Sequence, residues 1–202
     1  MNSFIADQLR ESMEVKQLIF GDSAFNEYLR LVCERCVEVY RTGRKTLIAG
    51  NGGSAGDAQH IAAEFVGRFY FDRPSLPSMA LTTDSSMLTA IGNDYGYQNV
   101  FKRQLQAHGV QGDMFIAIST SGKSENILEA VKECQKLGIT TVGLTGVNGN
   151  ILFELCDYCI MVPSDSTPRI QEAHILIGHI ICAYVEAALF EDLSVKKTLA
   201  YS

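Results

Sequence analysis

The chain has 202 residues, of which 47% are hydrophobic and 20% are charged. This composition suits one compact α/β domain with a substantial core. The formal net charge is -6, so long-range electrostatics do not attract nucleic acid or an anionic membrane surface. No apolar run approaches the roughly 20 residues that a spanning helix needs, and acidic residues interrupt the N-terminal segment where a signal peptide is apolar. We expect a cytoplasmic protein that binds neither membranes nor nucleic acid.

The apolar pattern predicts an α/β fold in chain order. Residues 1–42 show helical spacing with a break at 21–23, which predicts an N-terminal helical hairpin. Short apolar runs then alternate with helical stretches, at 46–50, 78–82, 113–120, 140–146 and 158–163. Buried strands joined by helices predict a five-stranded parallel sheet flanked by helices.

The last helix, predicted from about 168 to 190, is apolar on most sides. A helix that is apolar nearly all round is usually buried, and on a chain of this size that favours burial against a partner subunit. We expect a single domain over residues 1–202, in which the hairpin 1–42 takes part in oligomer packing.

Six cysteines include two CxxC pairs, Cys33 with Cys36 and Cys156 with Cys159. The first pair lies in a predicted helix and the second runs into a predicted strand, so neither has the turn of a zinc knuckle. We interpret both pairs as reduced core thiols.

Two loops at strand ends are candidates for anion binding. Residues 50–57 (GNGGSAGD) follow the first predicted strand, and residues 119–125 (STSGKSE) follow the third. Both run into a helix N-terminus, where free backbone N–H groups favour a phosphate. Each loop alone is also typical of a tight turn with a helix cap. Gly50, Gly52 and Ala55 also fit a loose dinucleotide pattern, but Asp72 precedes the second strand and is misplaced for a ribose contact.

Four side chains are candidate metal ligands. His60 and Glu64 are four residues apart and therefore share one helical face, although such a pair is often only a surface interaction. Gln171 and His179 are separated by about 12 Å of helix rise. A single metal therefore lies level with the middle of that helix, or the two helices come from different subunits. The apolar neighbours of His179 predict its burial, and a satisfied core histidine is the alternative interpretation.

Four stretches together resemble the phosphoheptose isomerases, a family with the sugar-isomerase (SIS) fold, which is flavodoxin-like or Rossmann-like. They are AGNGGSAGDAQHIAAEF, AIGNDYG, ISTSGKS and TPRIQEAHILIGH, and the similarity extends over nearly the whole chain. The resemblance implies conversion of sedoheptulose 7-phosphate to glycero-manno-heptose 7-phosphate, which supplies nucleotide-activated heptose for surface polysaccharides such as lipopolysaccharide. It also implies a homotetramer with active sites between subunits.

The resemblance implies site residues by position. One zinc per subunit is held by His60, Glu64, Gln171 and His179, although such ligands also suit other divalent ions. The phosphate is bound by Ser119, Thr120, Ser121 and Ser124. Further substrate contacts come from Asn51, Gly52, Gly53, Glu64, Asn93, Asp94 and Gln171.

Aldose–ketose isomerisation requires a base for a carbon-bound proton and a stabiliser for the enediolate. Our hypothesis is that Glu64 shuttles the proton with His179 assisting. A metal-bound carboxylate is a weaker base, so Glu64 has to loosen from the metal, or His179 is the base instead.

One position departs from the family pattern, because Lys123 stands where the family usually has Asn. We favour a solvent-facing lysine there. Two other functions stay open, a non-catalytic SIS protein of the replication-initiator-associating type and a sugar-phosphate sensor. The metal set, complete through His179, favours the enzyme, and the chain has no attached basic DNA-binding segment.

Overall fold

The computed structural model describes residues 3–200, with side chains described as far as Phe190, so residues 1, 2, 201 and 202 of the predicted domain lie outside the described residues. The elements in chain order are α1 (Ser3–Gly21), α2 (Ser23–Arg41), β1 (Thr46–Gly50), α3 (Gly53–Val66), β2 (Ser78–Ala80), α4 (Ser85–Tyr95), a 3₁₀ turn (Tyr97–Asn99), α5 (Val100–His108), β3 (Met114–Ile118), α6 (Glu125–Leu137), β4 (Thr140–Gly146), α7 (Asn150–Leu155), β5 (Tyr158–Val162) and α8 (Thr167–Ala200).

The predicted α/β class and five-stranded parallel sheet are confirmed. The strand order is β2-β1-β3-β4-β5, and all pairs are parallel. β1 therefore has β2 on one side and β3 on the other, so the strand order reverses between β1 and β3. Ligands of open α/β sheets bind outside the carboxyl ends of the strands at such a switch point. The glycine-rich and serine-rich loops follow these two strands.

The predicted hairpin is present as α1 and α2. The break between them is a helix cap, because the Asp22 carboxylate accepts hydrogen bonds from the backbone N–H groups of Ala24 and Phe25 at 2.9 and 3.0 Å. α2 packs its buried side chains into the core on one face of the sheet, together with α3 and α8. A second core lies on the other face, against α5 and α6. The sheet is thus covered on both faces.

α8 is kinked at Phe190. The backbone there leaves helical angles, with φ -136° and ψ 16°, so the helix predicted from about 168 to 190 ends at this kink and a second helical segment follows to Ala200. Within Thr167–Phe190, an 18-residue window has a mean hydropathy of 1.7, so by length and composition alone this helix could cross a membrane. His174, His179 and Glu186 interrupt this window, and 44% of it is buried inside the fold. The buried residues of α8, such as Ile177 and Val185, pack into the core beside the sheet.

The cysteines are free thiols, and all except the half-buried Cys156 are buried. Burial raises the pKa of Cys33 to about 12, so it stays a protonated thiol at neutral pH. Among the residues that the structure describes, no cysteine joins a group of potential metal ligands. The geometry agrees with core thiols.

Candidate active site

Three predicted ligands meet in one chain. The His60 Nε2 atom lies 3.1 Å from Glu64 Oε1 and 3.4 Å from His179 Nε2. One donor atom from each residue lies within 4.8 Å of the other two. The three side chains come from α3 and α8, which pack side by side. These three side chains therefore come together within one chain, and the arrangement of subunits around the site stays a prediction.

These separations fit the ligands of one small metal ion. Tetrahedral zinc with bonds of 2.0–2.1 Å holds neighbouring ligand atoms about 3.3 Å apart. Two imidazole nitrogens and a carboxylate oxygen are also the ligand types that zinc prefers. The group is partly open, since the His60 side chain is 49% exposed and that of Glu64 is 25% exposed. The expectation that His179 is buried was wrong, because His179 is half-buried at the rim of the core.

Gln171 lies lower on α8, against the start of α3. A Cβ atom added at Gly53 would lie 2.6 Å from Gln171 Nε2, so the absence of a side chain at Gly53 leaves room for the amide. Gly53 is seven residues, or two helical turns, before His60. The role of Gln171 as fourth ligand stays a prediction.

The glycine-rich loop turns sharply after β1. Gly52 has a φ of +56°, in the left-handed region that favours glycine. A Cβ at Gly50 would meet the Ser54 carbonyl oxygen at 2.5 Å. Both positions therefore require glycine, and the backbone leads directly into the N-terminus of α3.

The serine-rich loop forms a second turn at the switch point. Ser119 is buried and donates from Oγ to Ser124 Oγ at 3.1 Å, and Ser121 Oγ accepts from the Lys123 backbone N–H at 3.2 Å. Gly122 has a φ of +64°. Thr120, Ser121 and Lys123 line a cavity of about 230 Å³ that extends to Thr167 at the start of α8. Lys123 is exposed, in agreement with a solvent-facing lysine.

Asn126, which was not among the predicted site residues, joins the two loops. The buried Asn126 exchanges two amide hydrogen bonds of 2.9 Å with Asn51. Asn126 follows the N-terminal residue of α6, so this pair ties the glycine-rich loop to the serine-rich loop. No local sequence pattern marks this contact, because Asn51 and Asn126 are 75 residues apart in the chain.

Asn93 and Asp94 lie apart from these loops in the described contacts. Both are exposed on α4, where Asn93 Nδ2 donates to Asp94 Oδ1 at 2.7 Å. Among the described residues, no hydrogen bond joins either of them to the metal-ligand group. Their predicted role in substrate binding stays a prediction.

A buried ion pair below the ligand group was also missed. Arg73 Nε donates to Glu186 Oε2 at 3.0 Å, and each side chain is 1% exposed. Burial alone raises the pKa of Glu186, but hydrogen bonds from the Phe69, Tyr70 and Phe71 backbone and from Arg73 outweigh it and lower the pKa. The glutamate in the apolar segment ICAYVEAALF could have indicated a buried partner for Glu186, although not which residue it is.

Asp57, Arg169 and His174 each have a buried side-chain atom without a hydrogen bond. Asp57 Oδ2 has none, and burial raises the pKa of this carboxyl group, partly offset by the nearby His60. His174 is fully buried, and neither ring nitrogen has a hydrogen bond of ordinary geometry. Burial lowers the pKa of His174 to about 4, although the Thr145 backbone partly opposes the shift.

Comparison with known proteins agrees with this architecture. The family model of the SIS domain matches residues 23–146. The fold and the two loops at the switch point therefore define a SIS-domain protein.

Relatives that match over nearly their whole length indicate which family of SIS-domain proteins the chain belongs to. The chain is 60% identical to the phosphoheptose isomerase of Aneurinibacillus thermoaerophilus, over 95% of this chain and 97% of that protein. It is 59% identical to phosphoheptose isomerase 2 of Campylobacter jejuni, over 94% of each chain. The solved structure of the Neisseria gonorrhoeae phosphoheptose isomerase superposes with a TM-score of 0.86 at 39% identity, covering 92% of this chain and 98% of that one. This chain belongs to the phosphoheptose isomerase family and is an isomerase.

Proposed function

We propose that the chain converts D-sedoheptulose 7-phosphate to D-glycero-D-manno-heptose 7-phosphate by metal-assisted proton transfer. The observation that carries the proposal is the convergence of His60, Glu64 and His179, whose donor atoms lie within 4.8 Å of one another. We assign the metal to these three side chains and to Gln171. Zinc fits the donor set and the separations, and other divalent ions share these ligand preferences.

The substrate phosphate binds at the serine-rich loop in this proposal. Ser119, Thr120, Ser121 and Ser124 offer hydroxyl groups at the N-terminus of α6, where the helix dipole also favours an anion. Asn51, Gly52 and Gly53 face the sugar from the neighbouring loop. The Asn51–Asn126 amide pair, at 2.9 Å, supports the proposal because it fixes the spacing of the two loops.

The ketose becomes an aldose when one proton leaves C1 and a proton is returned to C2. At the same time, the C1 hydroxyl proton moves to the C2 oxygen. Glu64 carries the carbon-bound proton between the two carbons, and His179 assists at the oxygens. A metal held by His60, Glu64, Gln171 and His179 would supply Lewis-acid chemistry for the sugar carbonyl. Glu64 is 25% exposed, so its carboxylate has room to change partners during turnover.

We further propose that the protein is a cytoplasmic homotetramer with active sites near subunit interfaces, and that its product supplies activated heptose for surface polysaccharides such as lipopolysaccharide. Apolar side chains exposed on α1 support association. Leu9 and Met13 are each 58% exposed, and Phe20 is 85% exposed. Covering such side chains in an oligomer removes apolar surface from water.

The experiment incubates the purified protein with sedoheptulose 7-phosphate in D₂O and follows the aldose by NMR, with and without a chelator. We expect aldose formation that the chelator abolishes and added zinc restores. Glu64→Gln should lose both turnover and exchange of the C1 proton, whereas Glu154→Gln, an exposed glutamate on α7, should behave like the wild type. Chelator-resistant turnover would refute the metal assignment. Near-normal exchange in Glu64→Gln would instead make His179 the base.

A further inference from the structure

The buried ion pair of Arg73 and Glu186 organises the segment that follows α3. We name residues 67–73 the strap. Glu186 accepts backbone N–H bonds from three consecutive strap residues, Phe69 at 2.8 Å, Tyr70 at 2.6 Å and Phe71 at 3.3 Å. It accepts a fourth bond from Arg73 Nε at 3.0 Å. One carboxylate thus fixes a segment that has no helix or strand of its own.

Arg73 uses its remaining donors to cap the helix that carries the metal ligands. Its Nη2 donates to the carbonyl oxygen of Glu64 at 2.8 Å, and its Nη1 donates to that of Phe65 at 2.7 Å. The last four carbonyls of a helix have no partner within the helix, and a cation there also complements the dipole. Glu64 lies in the last turn of α3, so Arg73 holds the backbone from which the Glu64 carboxylate projects.

The strap also contacts the second helix of the ligand group. The Phe69 ring lies 5.6 Å from the His179 ring, centre to centre. Glu186 lies on α8 two turns after His179, so the carboxylate links the strap to the helix that His179 comes from. The pair therefore hydrogen-bonds to the Glu64 backbone, and it reaches His179 only through the ring contact of Phe69.

We propose that Arg73 and Glu186 are positioning residues, which hold Glu64 and His179 at the separation that a metal ion requires. The inference rests on the proposed metal site. Stability alone explains the pair poorly, because the desolvation of two buried charges often cancels their attraction. A shell of groups that orients metal ligands is, by contrast, typically worth 10–100-fold in metal affinity.

The test compares zinc affinity in the folded protein by competition with a chromophoric chelator. Glu186→Gln preserves size but replaces one acceptor oxygen with an amide that cannot accept the same N–H bonds. Arg73→Lys keeps the charge but cannot reach the carboxylate and two carbonyls at once. We expect each variant to bind zinc roughly 10–100-fold more weakly, with lower kcat and a nearly unchanged KM.

Glu133→Gln is the matched control. Glu133 lies on α6 and is also buried. Its carboxylate accepts hydrogen bonds from Lys136 at 2.9 Å and from Gln106 at 3.0 Å. We expect it to keep the zinc affinity of the wild type whatever its unfolding midpoint. The Co²⁺ absorption spectrum of each folded variant gives an independent view of ligand geometry, and we expect it to change in Glu186→Gln and Arg73→Lys only.

The outcomes separate this inference from the proposed function. Wild-type protein that binds no zinc would refute the metal site itself. If the wild type binds zinc and Glu186→Gln lowers the unfolding midpoint but keeps zinc affinity and the Co²⁺ spectrum, the pair is only structural and the inference is wrong. If Glu186→Gln does not fold, the zinc affinity and the Co²⁺ spectrum of Arg73→Lys test the inference in the same way.

Discussion

Replacing His174 with leucine should flatten the dependence of stability on acid pH. The His174 ring is fully buried, and burial lowers its pKa from 6.5 to about 4. The unfolded chain therefore binds a proton between about pH 6.5 and pH 4 that the folded chain does not. Folding stability therefore decreases as the pH falls through this window. Leucine does not titrate, so His174→Leu removes this contribution.

The magnitude follows from the two pKa values. The full difference corresponds to about 3 kcal/mol, and the part lost between pH 7.5 and pH 5 is about 2 kcal/mol. The assay is urea unfolding of wild type and His174→Leu at both pH values, at equal subunit concentration. A chelator is present throughout, so that acid release of a metal adds nothing.

We expect the wild type to lose about 2 kcal/mol more than His174→Leu between the two pH values, whatever the stability of the variant at pH 7.5. The assay compares only the change in unfolding free energy between the two pH values, so a packing defect caused by leucine does not affect the comparison. Equal losses would refute the reasoning, because they would mean that the folded protein protonates His174 as easily as the unfolded chain.

Two glycine pairs give further predictions. Gly53→Ala should lower zinc affinity and turnover, because its Cβ would lie 2.6 Å from the Gln171 amide, whereas Gly56→Ala meets nothing within 4 Å and should stabilise the helix by about 0.5–1 kcal/mol. Metal titration checks the zinc affinity of Gly53→Ala, and thermal unfolding checks the stability of Gly56→Ala. Equal zinc affinity in Gly53→Ala and the wild type would contradict the first prediction. Gly122→Ala and Gly43→Ala both place a side chain at positive φ, but only the first also meets backbone of another loop at 2.5 Å. We expect Gly43→Ala to cost about 1–2 kcal/mol in urea unfolding and Gly122→Ala to cost more and to raise KM; equal costs would argue against the close approach.

Much of the fold follows from local pattern. The predicted runs at 46–50 and 140–146 are strands with those bounds, since fully buried parallel strands are continuous apolar segments. The run at 78–82 shortens to Ser78–Ala80 and lies at the sheet edge, where only β1 pairs with it. The apolar face of α8 could be predicted, and so could its end near 190, where Phe190 leaves helical backbone angles.

The candidate site divides in the same way. His60 and Glu64 share a helical face by spacing alone, so their proximity could be predicted. The approach of His179 to the same point depends on how α8 packs against α3, which spacing within one helix does not determine. The roles of Arg73 and Asn126 depend on hydrogen bonds between segments far apart in sequence. Such long-range polar contacts leave no local periodic signal.

The separation of the ligand-bearing helices along the chain has a consequence for biosynthesis. α3 leaves the ribosome early, between β1 and β2, whereas α8 follows all five strands. Before α8 is synthesised, His60 and Glu64 provide only two of the four proposed metal ligands. In the proposed function, the complete ligand set forms only after the sheet has a surface for α8 to dock on, so metal loading would come at the final stage of maturation and would report that the nascent chain has reached its native topology.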